Sequence, residues 1–381
     1  MDADQDNPVM VLTHLDHPMS DDHSEYRDIS TVLEVEEGAR LPPQEERAEE
    51  LLKAKSRTWL FVAMIIPNAI LGVLIRLGVV YIETFPDQPV FPLIWAQFIG
   101  CLIMGLLVST RTRMDRWHWI GPFMYASLSS GLCGSITTFS SWSLGIFTEL
   151  ANINRSPHPP LQNILAGISE LTVTIAMSLT GFALGKHLGS ALKHYLNSRS
   201  KQMDGARCGT KINPDDVPVR EERPPLPPSD HYTFLELAIG AFSLLLWVAL
   251  ILAVIWIAPS SSWRHVVMAT VFAPVGAVFR WYLSRFNARY PMFPIGTFAA
   301  NIIGSWILAA VIALQYTGHF LDGSNRQDCQ ILAGLQDGLC GCLTTISTFT
   351  VEMVTLNRKA AYRYALVSII LAQFDAPTDY Q

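Results

Sequence analysis

Gly131-Leu132-Cys133-Gly134-Ser135-Ile136-Thr137-Thr138 returns 207 residues later as Gly338-Leu339-Cys340-Gly341-Cys342-Leu343-Thr344-Thr345. Two further matches precede it in the same order. Gly72-x-x-x-Arg76 pairs with Gly276-x-x-x-Arg280, and Gln97-Phe98-Ile99-Gly100 pairs with Asn301-Ile302-Ile303-Gly304, both at an offset of 204. Three ordered matches identify a long-period duplication whose second copy carries a loop three residues longer.

The chain around this repeat is apolar. Half of its 381 residues are hydrophobic, mean hydropathy is +0.27 and only 16% are charged, against roughly 25% in a soluble domain. A soluble enzyme is thereby excluded. Charge is also uneven: residues 1–57 hold 15 Asp/Glu against 6 Lys/Arg, so the overall −6 belongs to a tail. That tail, with Pro42, Pro43 and its Glu-rich stretch, has no sustained apolar period and reads as a disordered acidic cytosolic segment. No signal peptide precedes the first apolar run. Cys101, Cys133, Cys340 and Cys342 lie within apolar runs, and Cys208 and Cys329 fall in loops on opposite sides, so no disulfide framework follows.

A bilayer core of about 30 Å takes about 20 apolar helical residues to cross. Runs of that kind occupy Trp59–Ile82, Leu93–Ser109, Trp117–Phe147, Leu161–Leu188, Phe234–Ala258, Val266–Ser284, Phe293–Gln315 and Ile331–Val354, with a short ninth at Tyr364–Phe374. With nine spans the basic loops fall on one side: Lys53/Lys55/Arg57, Arg111/Arg113/Arg116, Lys186 to Arg223, Arg285/Arg289 and Arg358/Lys359/Arg363. Basic loops face the cytosol, which puts the N-terminus inside and the C-terminus outside. Asn154-Arg155-Ser156 is then an external glycosylation sequon, close to the membrane and followed by Pro157. The ninth run turns polar at Asp375 after about half the crossing of its counterpart Leu161–Leu188, which points to an altered or truncated chain end.

Parity gives the architecture. Four spans return the chain to its starting side, and the single span Phe234–Ala258 flips the second copy. The expected fold is an all-α membrane protein of two inverted four-helix repeats joined by one linker transmembrane helix. Its segments are the tail 1–57, a first repeat 58–188, a polar cytosolic linker 189–233, the linker helix 234–259 and a second repeat 260–381. Inverted repeats place functional sites near the midplane at the repeat interface, which favours transport over catalysis.

In both copies a Gly is followed by hydroxyl and β-branched residues in mid-membrane: Gly134 to Trp142, and Gly341 to Phe349. This composition weakens helical continuity and frees carbonyls, which membrane depth tolerates only inside protein or facing a cavity. Two breaks meeting at the repeat interface can hold a small cation; alternatively the hydroxyls bond back to their own helices and pack closely against neighbours.

These motifs, with Gly296-Thr297, Asn301 and Gly304, resemble the Fluc/CrcB fluoride channels, and the fused form with one connecting span is similar to the eukaryotic fluoride exporters of that family. The resemblance covers about residues 58–188 and 260–374. It implies a passive fluoride channel and a structural sodium ion on backbone carbonyls at Gly134, Thr137, Thr138, Gly341, Thr344 and Thr345, with the two glycines as hinges. Carried over by position, an intact pore is lined by Phe139, Phe349 and Asn301, and a degenerate one by Gln97, Trp142 and Ile346. Physics agrees that phenyl edges, which carry partial positive charge, can touch a small anion without trapping it. Glu352 matches an acidic position whose first-half counterpart is Gly145. Arg76 and Arg280 are charges inside spans, suited either to an electropositive vestibule or to a structural role. Ser169, Thr172, Thr174 and Ser178 can form a polar track or simply pack, and Glu170 and Asp337 have no assigned role.

The resulting expectation is a plasma-membrane channel exporting cytosolic fluoride. Its partners are the ion and the bilayer, with no nucleic acid, and it works as a single-chain pseudo-dimer. A coupled secondary transporter of a small anion is the alternative. An intramembrane enzyme is disfavoured because no His lies in the matched motifs and neither H-E-x-x-H nor G-x-S-x-G is present.

Overall fold

A computed structural model of the chain describes residues 58–117, 120–153, 159–207, 233–257, 261, 263–316 and 326–373. The acidic tail, the sequon at Asn154, Cys208 with the Pro-rich part of the linker, and the chain end at 374–381 lie outside the described residues. Among the described residues all regular structure is helical.

The first repeat comprises α1 (Thr58–Glu83), α2 (Ile94–Trp117), α3 (Gly121–Ser127), α4 (Phe139–Leu150) and α5 (Pro160–Arg207). Then comes α6 (Phe234–Trp256), and the second repeat comprises α7 (Arg264–Ser284), α8 (Ile295–Tyr316), α9 (Arg326–Gly334), α10 (Ser347–Thr355) and α11 (Arg358–Gln373). Seven described helical stretches are long and apolar enough to cross a membrane, which makes this a multi-pass membrane protein. Three expected runs differ, one of them Ile331–Val354, which is interrupted after Leu343 between α9 and α10. Trp117–Phe147 is interrupted after Ile136, so α3 and α4 share the crossing. The short run at Tyr364–Phe374 belongs to α11, whose 16 residues extend about 24 Å, below the roughly 30 Å of a bilayer core.

Helix directions follow from which ends touch. Phe61, in the first turn of α1, packs on Trp281, in the last turn of α7, with ring centroids 4.7 Å apart. These equivalent helices therefore run in opposite directions. Between them Ile65, Ala69 and Val73 bury against Ala269, Ala273 and Ala277, where small side chains allow close backbone approach.

Helices α2 and α5 instead run parallel along a glycine stripe. Gly181, Gly185 and Gly189 meet Phe98, Leu102 and Leu106 in register; a Cβ at Gly181 would stand 2.6 Å from the Phe98 carbonyl oxygen. No hydrophobic effect draws helices together in lipid, so this backbone contact is what joins them. Helix α6 begins with a capping box: the Thr233 N–H donates to Glu236 Oε2 at 2.6 Å, and the Glu236 N–H donates to Thr233 Oγ1 at 3.3 Å. Only 6% of its apolar window is buried in protein, so it is a lipid-facing connector.

Candidate functional site

Each interrupted crossing has the same sequence of events. A π-helical turn, Leu128–Cys133 or Leu335–Cys340, ends at the motif glycine. One short α-turn follows, and the chain then goes extended at Thr137 (φ −92°, ψ 149°) and Thr138 (φ −144°, ψ 130°), and at Thr344 (φ −91°, ψ 157°) in the second copy. The break thus lies three residues beyond Gly134 and Gly341, which keep helical angles; the expectation that these glycines are the hinges is corrected.

The two breaks cross in contact. Thr137 and Thr345 hydroxyls are 3.1 Å apart, and Thr138 and Thr344 hydroxyls 3.0 Å apart. A helix start leaves N–H groups unsatisfied, and here each is capped by the opposite repeat. Thr344 Oγ1 accepts from the backbone N–H of Phe139 and Ser140, both at 3.1 Å, while Thr137 Oγ1 accepts from Ile346 and Ser347 at 3.3 and 3.1 Å. The hydroxyls therefore do more than bond back to their own helices.

Arg76 and Arg280 are buried to 2% and 4% exposure. Arg280 donates to the carbonyls of Gly134 (2.9 Å), Thr344 (3.0 Å), Cys342 and Ser130. Arg76 donates to Gly341 (2.8 Å), Ser135 (2.9 Å) and Asp337. At the repeat offset Ser130, Gly134 and Ser135 correspond to Asp337, Gly341 and Cys342, so three bonds of each arginine mirror the other's, in the manner of an isologous contact, and Arg280 adds a fourth to Thr344. The vestibule reading of these arginines is corrected: they are pins between the repeats. The glycines make room for them, since a Cβ at Gly341 would stand 2.7 Å from Arg76 Cζ.

The same bonds bear on the expected sodium ion. Of its six proposed carbonyls, those of Gly134 and Thr344 accept from Arg280, that of Gly341 from Arg76, that of Thr138 from Gln97 and that of Thr345 from Asn301. Two guanidinium charges already sit on these oxygens, and a third cation would be repelled at close range. Arginine is thus a cation already present at this crossing, on three of the six oxygens.

Beside the crossing runs a chain of buried rings. Phe139 and Phe349, one from each repeat, meet edge-on at 5.6 Å and 64°. Trp142 extends the chain from Phe139 at 5.2 Å and 82°, and Tyr364 extends it from Phe349 at 5.1 Å. Exposure of all four is 1% or less. Trp142 is thus part of the wall of the intact pair, while Ile346, buried in the same cluster, presents no ring. Gln97 and Asn301 are equivalent in use. Gln97 closes a two-bond ring on Thr138, donating to its carbonyl at 2.6 Å and accepting from its N–H at 3.2 Å, and Asn301 does the same to Thr345 at 3.2 and 2.9 Å. The longer side chain at Gln97 keeps this contact, so both amides hold the extended breaks in place.

Residues 63–186 and again 267–376 match one family, described as CrcB-like protein, Camphor Resistance (CrcB). The chain belongs to the CrcB-like family. It is similar to Fluoride export protein 1 of Candida albicans, 30% identical over 344 residues that cover 85% of this chain and 80% of that protein. It is also similar to Fluoride export protein 1 of Schizosaccharomyces pombe, 28% identical over 80% of this chain and 90% of that one. The Fluoride-specific ion channel FluC of Chromobacterium violaceum matches at 35% over 108 residues, 28% of this chain but 81% of that protein, so one bacterial chain corresponds to one repeat. No solved structure matches.

Within this CrcB-like chain Glu352, 2% exposed, gathers three donors: Thr297 at 2.6 Å, Asn287 at 3.2 Å and Tyr364 at 2.7 Å. The sequence reading missed Tyr364 and Ser368 as site residues. Tyr364 was legible only as an apolar position, and Ser368, fully buried one turn on, has a hydroxyl with no partner among the described residues. Of the four hydroxyls considered for a polar track, Ser169 and Thr172 bond their own helix at 2.7 Å. Thr174 and Ser178 are buried.

Proposed function

We propose that this chain is a passive fluoride channel of the plasma membrane, working as a single-chain pseudo-dimer of two inverted repeats. The observation that carries the reading is the run Tyr364–Phe349–Phe139–Trp142, fully buried and contributed by both repeats where their extended breaks cross. Phenyl and indole edges offer a small anion a weak, uncharged attraction, which permits entry without a bound state too deep to leave. The Tyr364 hydroxyl, donating to Glu352 at 2.7 Å, supplies a polar contact at one end of the rings. The names of the fungal and bacterial relatives support fluoride as the ion.

The opposed directions of α1 and α7 and the reciprocal arginine bonds support the inverted arrangement. The basic loops support a cytosolic N-terminus and an external C-terminus. Weak-acid physics supplies the need. Hydrogen fluoride enters from an acidic exterior, ionises inside and accumulates as the anion, and a negative-inside potential drives that anion out with about 2.3 kcal/mol per 100 mV. No chemical step and no coupled ion are required.

A fluoride electrode on proteoliposomes holding the full chain tests this. Fluoride is expected to leave without a proton gradient, far faster than chloride, and F139I and F349I are expected to cut the rate at least about tenfold. Efflux equal to that of empty liposomes, or unchanged flux in both variants, would remove the assignment.

A further inference from the structure

Position 145 breaks the symmetry of the repeats. At the offset of 207 it corresponds to Glu352, yet it is Gly. Its space is not empty: a Cβ built on Gly145 would stand 2.7 Å from Glu170 Cδ and 2.9 Å from Glu170 Oε2. The carboxyl of Glu170, from the neighbouring α5, therefore fills the volume that an acidic side chain on α4 would occupy. Glu170 is 7% exposed, at membrane depth on α5. Glu352 by contrast accepts three bonds.

Both carboxyl-bearing residues also terminate the ring chain. Tyr364 joins Phe349 to Glu352 through its hydroxyl at 2.7 Å, and the Trp142 indole N–H donates to the backbone carbonyl of Glu170 at 3.4 Å. An acidic side chain at membrane depth is costly and marks a functional position.

We propose that Glu170 is the acidic group of the first repeat, relocated from α4 to α5, so that one acidic residue stands at each end of the aromatic run, and that ion flux requires both. This rests on the channel reading above. It also explains why position 145 is Gly: any side chain there collides with the relocated carboxyl.

The test is a positional swap in the full chain, read as fluoride efflux from liposomes. E170L, which keeps the packing volume, and E170Q, which keeps shape and polarity, are each expected to lower flux at least about fivefold. Moving the acid back, as G145E/E170A, is expected to restore flux to within about threefold of the parent, whereas G145E alone, with two carboxyls in one space, stays low. A role in packing alone predicts near-parental flux in E170L and E170Q, which keep the volume. The proposal is overturned if E170Q conducts like the parent, or if G145E/E170A elutes as folded protein yet conducts no better than E170L. A parent chain without fluoride flux overturns the channel reading and this proposal together, while parental flux with an indifferent E170Q overturns this one alone.

Discussion

Arg280 donates to the carbonyl of Gly134 across the repeat interface at 2.9 Å, so close that a Cβ on Gly134 would stand 2.5 Å from the guanidinium carbon. A buried guanidinium stays where it is only because carbonyls from both repeats receive its N–H groups, and one added methyl would push it off them. G134A and G341A are expected to cost about 2–4 kcal/mol, since each leaves a buried charge incompletely bonded. Thermal melts of purified protein in detergent check this, and a melting temperature unchanged in both variants would falsify the pin role of the arginines. Lysine cannot serve several carbonyls with one planar fork, so R280K should fail like G134A.

The crossed hydroxyls make a second expectation. Thr344 caps α4, and Thr137 caps α10, each in the other repeat. T344V removes the acceptor for two N–H groups and should cost about 1–2 kcal/mol, whereas T344S, which keeps the hydroxyl, should melt within a few degrees of the parent. Equal melting of T344V and T344S would mean that the cap contributes nothing.

Glu352 acts as an acceptor for Asn287, Thr297 and Tyr364. E352Q turns an amide N–H onto one of these donors, leaving a buried clash of donors, and is expected to reduce flux about tenfold or more; Y364F, which removes one donor and leaves two, should cost less. Efflux measured on both variants decides the order, and a larger loss in Y364F would shift the key role from the carboxylate to the phenol.

Replacing all sodium by a large organic cation should leave fluoride flux and melting temperature unchanged, because the carbonyls at the crossing are held by arginine. A collapse of either on sodium removal, restored by adding it back, would show that a metal ion shares those oxygens.

The glycine stripe between α2 and α5 gives a prediction about assembly. G185L places a large side chain where the backbones touch and should yield no monodisperse protein, while a leucine on the lipid-facing side of the same helix, at Ala176, should be tolerated. Size-exclusion profiles of the two separate these outcomes.

The sequence by itself determined the duplication and the membrane-spanning class, while the ring pair came from the resemblance to the family. The first follows from matching one half of the chain against the other, the second from apolar run length and loop charge. Even the break was legible, though its position was not, because the weakening of a helix by hydroxyl and β-branched residues does not say which peptide gives way. What only the tertiary structure decided are relations across about 200 residues of chain. Whether Arg76 and Arg280 face water or carbonyls, whose helix Thr137 caps, and why Gly145 has no side chain all depend on atoms supplied by the other repeat or by a neighbouring helix. A single chain carries no record of such partners, since burial and hydrogen-bond satisfaction are properties of packed surfaces, and these surfaces come into being only when the repeats meet.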